Sequence, residues 1–348
     1  MSALTLERIR EELASYDGAP LRIMEVCGTH TASIVKNGIP SLLSDKIRLI
    51  SGPGCPVCVT VTAYIDRLTE LALTEGTAVC AFGDLLRVRG SSMSLADAKA
   101  RGGRVHMVYS PAQMLDLAEA DPQRTYVFAA VGFETTIPVY AILIQEAERR
   151  GIRNVKLLTS LKTMPQVIGW LMDSGAKIDG FIAPGHVCAV AGYEDYITAA
   201  AKYGVPFVVS GFEGPQLLAT IYALVKMQGR GEVRNLYPGV VEKEGSPESR
   251  QLTAEFFEPC DAAWRGMGII PGSGMRLKDE FAQYDVGSEG LTEDRMATGC
   301  QCARVLTGEI TPEQCPLFGK VCTPQDPHGA CMVSQEGSCF NHFVARGI

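Results

Sequence analysis

The sequence predicts an α/β protein built from two similar open α/β domains with parallel sheets, followed by a smaller, cysteine-rich C-terminal module. Three observations predict it. From about residue 21 to 230 a short apolar or β-branched run, a glycine-bearing loop and a helical pattern recur in that order. The loops AVGFETTIPV (130–139) and VSGFEGPQLL (209–218) resemble each other, as a repeated unit would. Past residue 235 the recurring phrase breaks down, and six of the 12 cysteines fall in the last 49 residues.

Taken in order, MSALTLERIREELASYDG alternates charge with leucine like an amphipathic helix and lacks the apolar core of a signal peptide. Strand candidates follow at LRIMEV (21–26), KIRLIS (46–51), TAVCAF (77–82), VHMVYS (105–110), TYVFAAV (125–131), VKLLTS (155–160), DGFIAP (179–184) and PFVVSG (206–211). Between them, residues 60–73 carry Val61, Ile65 and Leu68 at the i, i+4, i+7 spacing of a buried helical stripe. Residues 136–150 read as a helix with Pro138 in its first turn and Gly151 as its stop. Apolar strands alternating with helices give parallel sheets covered on both faces. Eight such units would also suit a closed barrel, but the tight spacing and the internal resemblance favour two open domains. These are expected at 1–120 and 121–235, joined near EADPQRT, with 236–348 as the third unit.

Composition narrows the function classes. The chain has 348 residues, 46% of them hydrophobic and only 7% aromatic, with 36 glycines, the profile of an α/β protein rich in tight strand-to-loop turns. A net charge of −7 gives no reason to expect nucleic acid or an anionic membrane as a partner. No apolar run reaches the roughly 20 residues of a membrane span, so the expected location is the cytoplasm. In that reducing compartment a disulfide framework is disfavoured, and clustered cysteines point to metal or redox chemistry.

In parallel sheets ligands bind at the loops leaving the carboxyl ends of strands. Four such loops stand out: EVCGTH (25–30) with Cys27 and His30, SGPGCPVCVT (51–60) with Cys55 and Cys58, GFETT (132–136) with Glu134 and Thr135, and APGHVCAVAG (183–192) with His186 and Cys188. A cysteine at a helix N-terminus is biased toward the thiolate, the form that ligates metals and attacks disulfides, and Cys55 and Cys58 are expected just before a helix starting near Thr60. Plainer readings compete. The Cys-x-x-Cys pair is also half of a zinc site, but no second tight pair completes one. Cys27 alone fits a small buried hydrophobe, and Glu134 fits a helix cap. Cys80, Cys260 and His106 read as structural.

The C-terminal module carries Cys300, Cys315, Cys322 and Cys339 at separations of 14, 6 and 16 residues, with Cys302 and Cys331 beside them. Proline follows Cys315 directly and Cys322 after one residue, as where a chain wraps an iron–sulfur cluster. Too little apolar sequence remains to fold this stretch unaided, so a metal cluster is the natural staple. The wide spacing suits a [4Fe–4S] cubane better than a zinc ribbon. A cluster hands over one electron at a time and a dithiol stores two, which together suit reductive chemistry on something held by thiolates.

CGTH (27–30), GPGCPVC (52–58), GFETT (132–136), PGHV (184–187) and the terminal CPLFGKVCTP…GACMVS…EGSC occur in one order, and together they resemble the HypD family of hydrogenase maturation proteins nearly end to end. Cys188 departs from that pattern, where serine is expected. The resemblance implies a scaffold on which the Fe(CN)₂CO unit of [NiFe]-hydrogenase is assembled with a small partner, HypC. Cyanide would come from HypE and HypF, and the product would pass through HypC to the hydrogenase large subunit. It further implies Cys27 as a ligand of the mononuclear iron and His30 beside it as proton donor or supporting group. Cys55 and Cys58 would be a thiol pair that ligates that iron or passes it electrons, with Glu134 and Thr135 lining the same cleft. Cys300, Cys315, Cys322 and Cys339 would hold the [4Fe–4S] cluster, with Cys302 or Cys331 as possible replacements. Reaction class is the main alternative: an iron–sulfur thiol–disulfide oxidoreductase working through Cys55 and Cys58 would need neither Cys27 nor His30.

Overall fold

In the computed structural model, which describes residues 5–347, the strands form two separate sheets rather than a barrel. The first is built from β1 (Leu21–Glu25), β2 (Ile47–Ser51), β7 (Gly180–Pro184), β8 (Phe207–Ser210) and β9 (Val233–Asn235). Its order is β2-β1-β7-β8-β9, parallel throughout. The second takes β3 (Thr77–Ala81), β4 (Val105–Met107), β5 (Thr125–Gly132), β6 (Val155–Lys162), β10 (Phe257–Trp264) and β11 (Gly268–Leu277), in the order β10-β11-β6-β5-β3-β4. Its β3, β4, β5 and β6 are parallel, while β10 and β11 form an antiparallel hairpin on β6.

All eight strands expected from the apolar runs are present. Those at the middle of the sheets, such as β5 and β7, are buried along almost their whole length, because helices cover both faces. The helix Ile137–Arg150 takes Pro138 in its first turn and ends on Gly151 in the left-handed region at φ 70°. The N-terminal helix Leu6–Ala14 is capped by Thr5 and buries Ile9 and Leu13.

The sheets do not divide the chain at residue 120. β3 and β4 precede that point, β5 and β6 follow it, and all four lie in the second sheet. The chain makes β1 and β2, leaves to build most of the second sheet, and returns at β7, which pairs with β1. Strand pairs this distant in sequence leave no local mark. The stretch 236–348 is likewise not one module. Gly274 and Met275 pair with Lys162 and Leu161, so the β10–β11 hairpin extends the second sheet. Its strands escape notice because Phe257–Trp264 bears Pro259 and a register shift near Cys260, and Gly268–Leu277 is interrupted by Pro271, Gly272 and Gly274.

The last stretch, with short helices Cys302–Leu306, Ala330–Val333 and Ser338–Ala345, packs on the first sheet's side of the molecule. Arg22 donates to the Gly308 carbonyl at 2.5 Å. A Cβ on Gly28 would stand 2.3 Å from that of Glu336, so this glycine lets the two segments meet. One continuous core holds the parts together: Met24, Cys58, Phe133, Trp264, Cys302 and Cys331 belong to it, drawn from both sheets and the C-terminal segment. No helix among the described residues is long and apolar enough to cross a membrane.

Candidate functional site

Four of the chemistry-bearing loops leave carboxyl ends of strands in the first sheet or beside it. Cys27 follows β1, the Cys55–Cys58 loop follows β2, His186 follows β7 and Phe212 follows β8; Glu134 follows β5 of the second sheet. These ends meet. Val26, Phe133, Val187, Cys188 and Tyr196 pack in one core, which places residues of both sheets around one interior region.

Cys27 is the N-cap of the helix Gly28–Lys36. Its backbone N–H donates to Glu25 Oε2 at 2.9 Å, and Thr31 Oγ1 donates to the other oxygen of that carboxylate. The position alone would favour a thiolate, yet burial dominates and pushes the thiol up to about 12. The backbone N–H groups of His30 and Thr29 pull the other way; the carboxylates of Glu25 and Glu336 add to the rise. Glu25 itself is pushed up to about 7, again by burial first. Cys27 is therefore a protonated, sequestered thiol that becomes a thiolate only when something takes its proton.

The loop 52–58 lies directly over Cys27. Gly28 N donates to Gly54 O at 3.0 Å, and a Cβ on Gly54 would stand 2.3 Å from Cys27 N and 2.4 Å from the Val26 carbonyl carbon. Only glycine allows that approach. Cys55 and Cys58 are joined in a disulfide with Cα atoms 5.3 Å apart, and both are buried. The expectation that they sit at a helix N-terminus is not met, because the next helix begins at Thr62, four residues past Cys58. Cys27 holds that position instead.

His30 is fully buried and stacks on Phe212 with ring centroids 4.6 Å apart; His186 stacks on the same ring at 3.9 Å. His30 Nε2 lies 3.1 Å from Gly211 O, so Nε2 carries the hydrogen and Nδ1, buried and without a partner, is the bare acceptor. Desolvation lowers its pKa to about 4. A histidine kept neutral in this way offers Nδ1 as a hydrogen-bond acceptor.

Glu134 is half-buried, with Oε1 accepting Met164 N–H at 2.7 Å and Oε2 buried and unpartnered. Burial pushes it up to about 7, and Asp195 adds to the rise. It lines a cleft of about 590 Å³ with Asp195, Arg250 and Lys278. It does not cap the helix that follows it, Ile137–Arg150, but bonds the N–H of Met164, the first residue of the helix Met164–Asp173. Thr135 is half-buried, its hydroxyl 3.4 Å from that of Thr136.

The C-terminal cysteines gather in one buried group. Cys300 and Cys302 bring their sulfurs to 3.3 Å. Cys331, fully buried, is held below the ordinary thiol range by its neighbours Cys302 and Cys339, while Cys339 is pushed up. Cys322 accepts His328 N–H at 3.3 Å and feels Cys300 and Cys302, and Cys315 packs in the same core. Gly329 leaves room for them: a Cβ there would stand 2.5 Å from Cys302 Sγ and 2.8 Å from Cys300 Sγ. A buried set of soft sulfur donors suits an iron–sulfur cluster. Among the described residues no three Cys, His, Asp or Glu side chains are arranged to hold a single metal ion. Cys302 and Cys331 are as buried as the four predicted ligands and touch members of that set.

The disulfide stands between the two thiol groups. Cys58 Sγ lies 3.9 Å from Ala330 O, next to Cys331, and on its other side the loop covers Cys27. Sequence reasoning overlooked Glu25, Phe212 and Arg265. The first two stand inside quoted loops, two residues from Cys27 and within SGFEGP. Arg265 sits in a hairpin that the apolar pattern concealed.

Fold and site together define an α/β protein of two sheets that gathers buried thiols, one of its cysteine pairs disulfide-bonded, where strand ends meet. Residues 2–346 match the family model HypD, described as "Hydrogenase formation hypA family". The chain is 41% identical over 356 residues to the hydrogenase maturation factor HypD of Escherichia coli K12, covering 98% of this chain and 94% of that one. It is 40% identical to HypD of Rhodobacter capsulatus over the same shares of each chain. A putative hydrogenase expression/formation protein of Methanocaldococcus jannaschii is 37% identical, over 94% of this chain and 93% of its own. The chain belongs to the HypD family of hydrogenase maturation factors.

Proposed function

We propose that this protein is the iron-carrying, redox-active scaffold on which the Fe(CN)₂CO unit of a [NiFe]-hydrogenase is assembled. HypC is its partner in a stable complex, HypE the transient cyanide donor, and the hydrogenase large subunit the destination through HypC. The observation that carries the reading is the buried Cys27 thiol beneath the Cys55–Cys58 disulfide. Iron bearing cyanide and carbon monoxide is soft and favours thiolate, and Cys27 is a single thiolate ligand withheld until metal displaces its proton. HypC would supply a second cysteine.

Around that cargo iron this chain's residues do the following. Glu25 fixes the backbone of Cys27 through its N–H. The neutral His30 offers Nδ1 as an acceptor, and Glu134, balanced near pH 7, takes or returns a proton at the cleft. Cys55 and Cys58, being bonded, offer iron no thiolate in this state; they act as an electron store that opens to two thiols on reduction. Cys300, Cys315, Cys322 and Cys339 would hold a [4Fe–4S] cluster, with Cys302 and Cys331 close by. Held there, such a cluster would supply electrons one at a time.

Anaerobic purification with HypC, followed by infrared spectroscopy and iron counting, tests the proposal. Bands from CO and cyanide on iron are expected in the native complex and lost in Cys27→Ala, while the cluster's iron remains. Full-intensity bands in Cys27→Ala would refute the ligand assignment. The disulfide also favours a second reading, a thiol–disulfide oxidoreductase, which predicts no iron beyond the cluster in the native complex.

A further inference from the structure

Arg265 is a buried cation with no ion-pair partner among the described residues; Asp294, the carboxylate beside the turn, accepts the N–H of Gly266 instead. It stands at the turn of the β10–β11 hairpin and is only 5% exposed. Its backbone N–H donates to Val59 O at 2.8 Å and its Nε–H to Thr60 O at 2.6 Å, so it grips the chain directly after Cys58. Its Nη2 is buried with no partner, and among the described residues no carboxylate pairs with it. On the other side the hairpin turn presses on the cysteine group. Gly266, at φ 71°, would place a Cβ 2.3 Å from that of Ala303, the neighbour of Cys302. Trp264, the residue before Arg265, packs in the same core as Cys302, Cys315, Cys322, Cys331 and Cys339. Lys162, a second buried cation, adds repulsion rather than compensation.

An uncompensated buried guanidinium is costly, and such groups persist where a negative charge is to be bound. Four thiolates around an iron–sulfur core supply one, and one-electron reduction adds another. We infer that Arg265 is a positioning residue for the terminal cluster: its fixed positive charge stabilises the reduced form and raises the cluster's potential, while the same side chain holds the Cys55–Cys58 loop beside it. The couple is a plain one-electron exchange, with no atom transferred. The charge acts through the low-dielectric core, one of the means by which a protein tunes such a potential. This inference rests on the cluster proposed above.

The test uses the full chain with its cluster reconstituted under anaerobic conditions, titrated with dithionite and followed by electron paramagnetic resonance. Iron and sulfide analysis accompanies each sample. In Arg265→Gln the midpoint is expected to fall by at least about 60 mV, a tenfold change in a one-electron equilibrium. Arg265→Lys, which keeps the charge, is expected to stay close to the native value. A full cluster in Arg265→Gln with an unmoved midpoint overturns the inference. Should Arg265→Gln fail to fold, Arg265→Lys decides: a native-like midpoint supports the role of charge, and a midpoint lowered by 60 mV or so overturns it. Absence of iron and sulfide from the native chain itself would instead overturn the cluster reading, so the two failures are distinct.

Discussion

Replacing Glu134 with glutamine tests whether the cleft carboxyl is held as an acid. Glutamine is the shape of the protonated side chain: its carbonyl keeps the Met164 N–H, and its amide stands where Oε2 has no partner. Burial raises the folded pKa of Glu134 from 4.5 to about 7, so between those values the folded protein holds a proton that the unfolded chain has released. A raised pKa means its stability contribution is complete below pH 4.5 and drains away as pH rises through 7. At 1.36 kcal/mol per pKa unit, the native chain loses about 2–3 kcal/mol relative to Glu134→Gln between pH 5 and pH 8. His30 titrates identically in both proteins and drops out of the difference. Anaerobic urea unfolding at pH 5, 6, 7 and 8 measures it: the two midpoints start close together and separate, the variant becoming the more stable. Curves that run parallel across this range would refute the raised pKa and leave Glu134 an ordinary carboxylate.

Three further outcomes follow from the geometry. Gly54→Ala forces a methyl group into the backbone of Val26 and Cys27, so unfolding should show a loss of about 1–3 kcal/mol or more, with the Cys27 N–H shifted in the amide spectrum. Phe212→Ala uncovers His30; its imidazole pKa, followed by NMR, should climb from about 4 toward 6.5, and an unchanged value would show that Phe212 does not seal it. Trp264→Ala removes a fully buried ring that stacks on Phe133 and bonds Ser273, and should cost about 3–5 kcal/mol by urea unfolding.

How much of this was legible in the sequence depended on range. The strands from β1 to β8 show themselves because each is a short apolar or β-branched run, buried most fully in mid-sheet strands such as β5 and β7, and Gly151 marks a helix end by its own backbone. The partition into sheets does not show, since β1 pairs with β7 across an inserted sheet and no local pattern records it. The hairpin Phe257–Leu277 is half-exposed and broken by proline and glycine, which hides both its strands and Arg265 at its turn. At the site, Cys27, Cys55, Cys58, His30 and Glu134 are conspicuous as residue types at strand ends. Their protonation is not, because burial overrides the helix N-terminus at Cys27 and holds His30 neutral.

The order of the sulfurs then constrains any mechanism. Cys27 is capped by the glycines of the loop that carries Cys55 and Cys58, and that loop is held from behind by Arg265 and touches the segment beginning at Ala330. Opening the disulfide loosens a loop whose backbone is bonded to Gly28, the first residue of the helix that Cys27 caps. Were reduction of the pair to expose Cys27, these few backbone contacts would carry the effect. Hydrogen exchange at Gly28, compared between oxidised and reduced protein, reads that link directly: faster exchange on reduction is expected, and equal rates would mean that Cys27 is gated by something other than this loop.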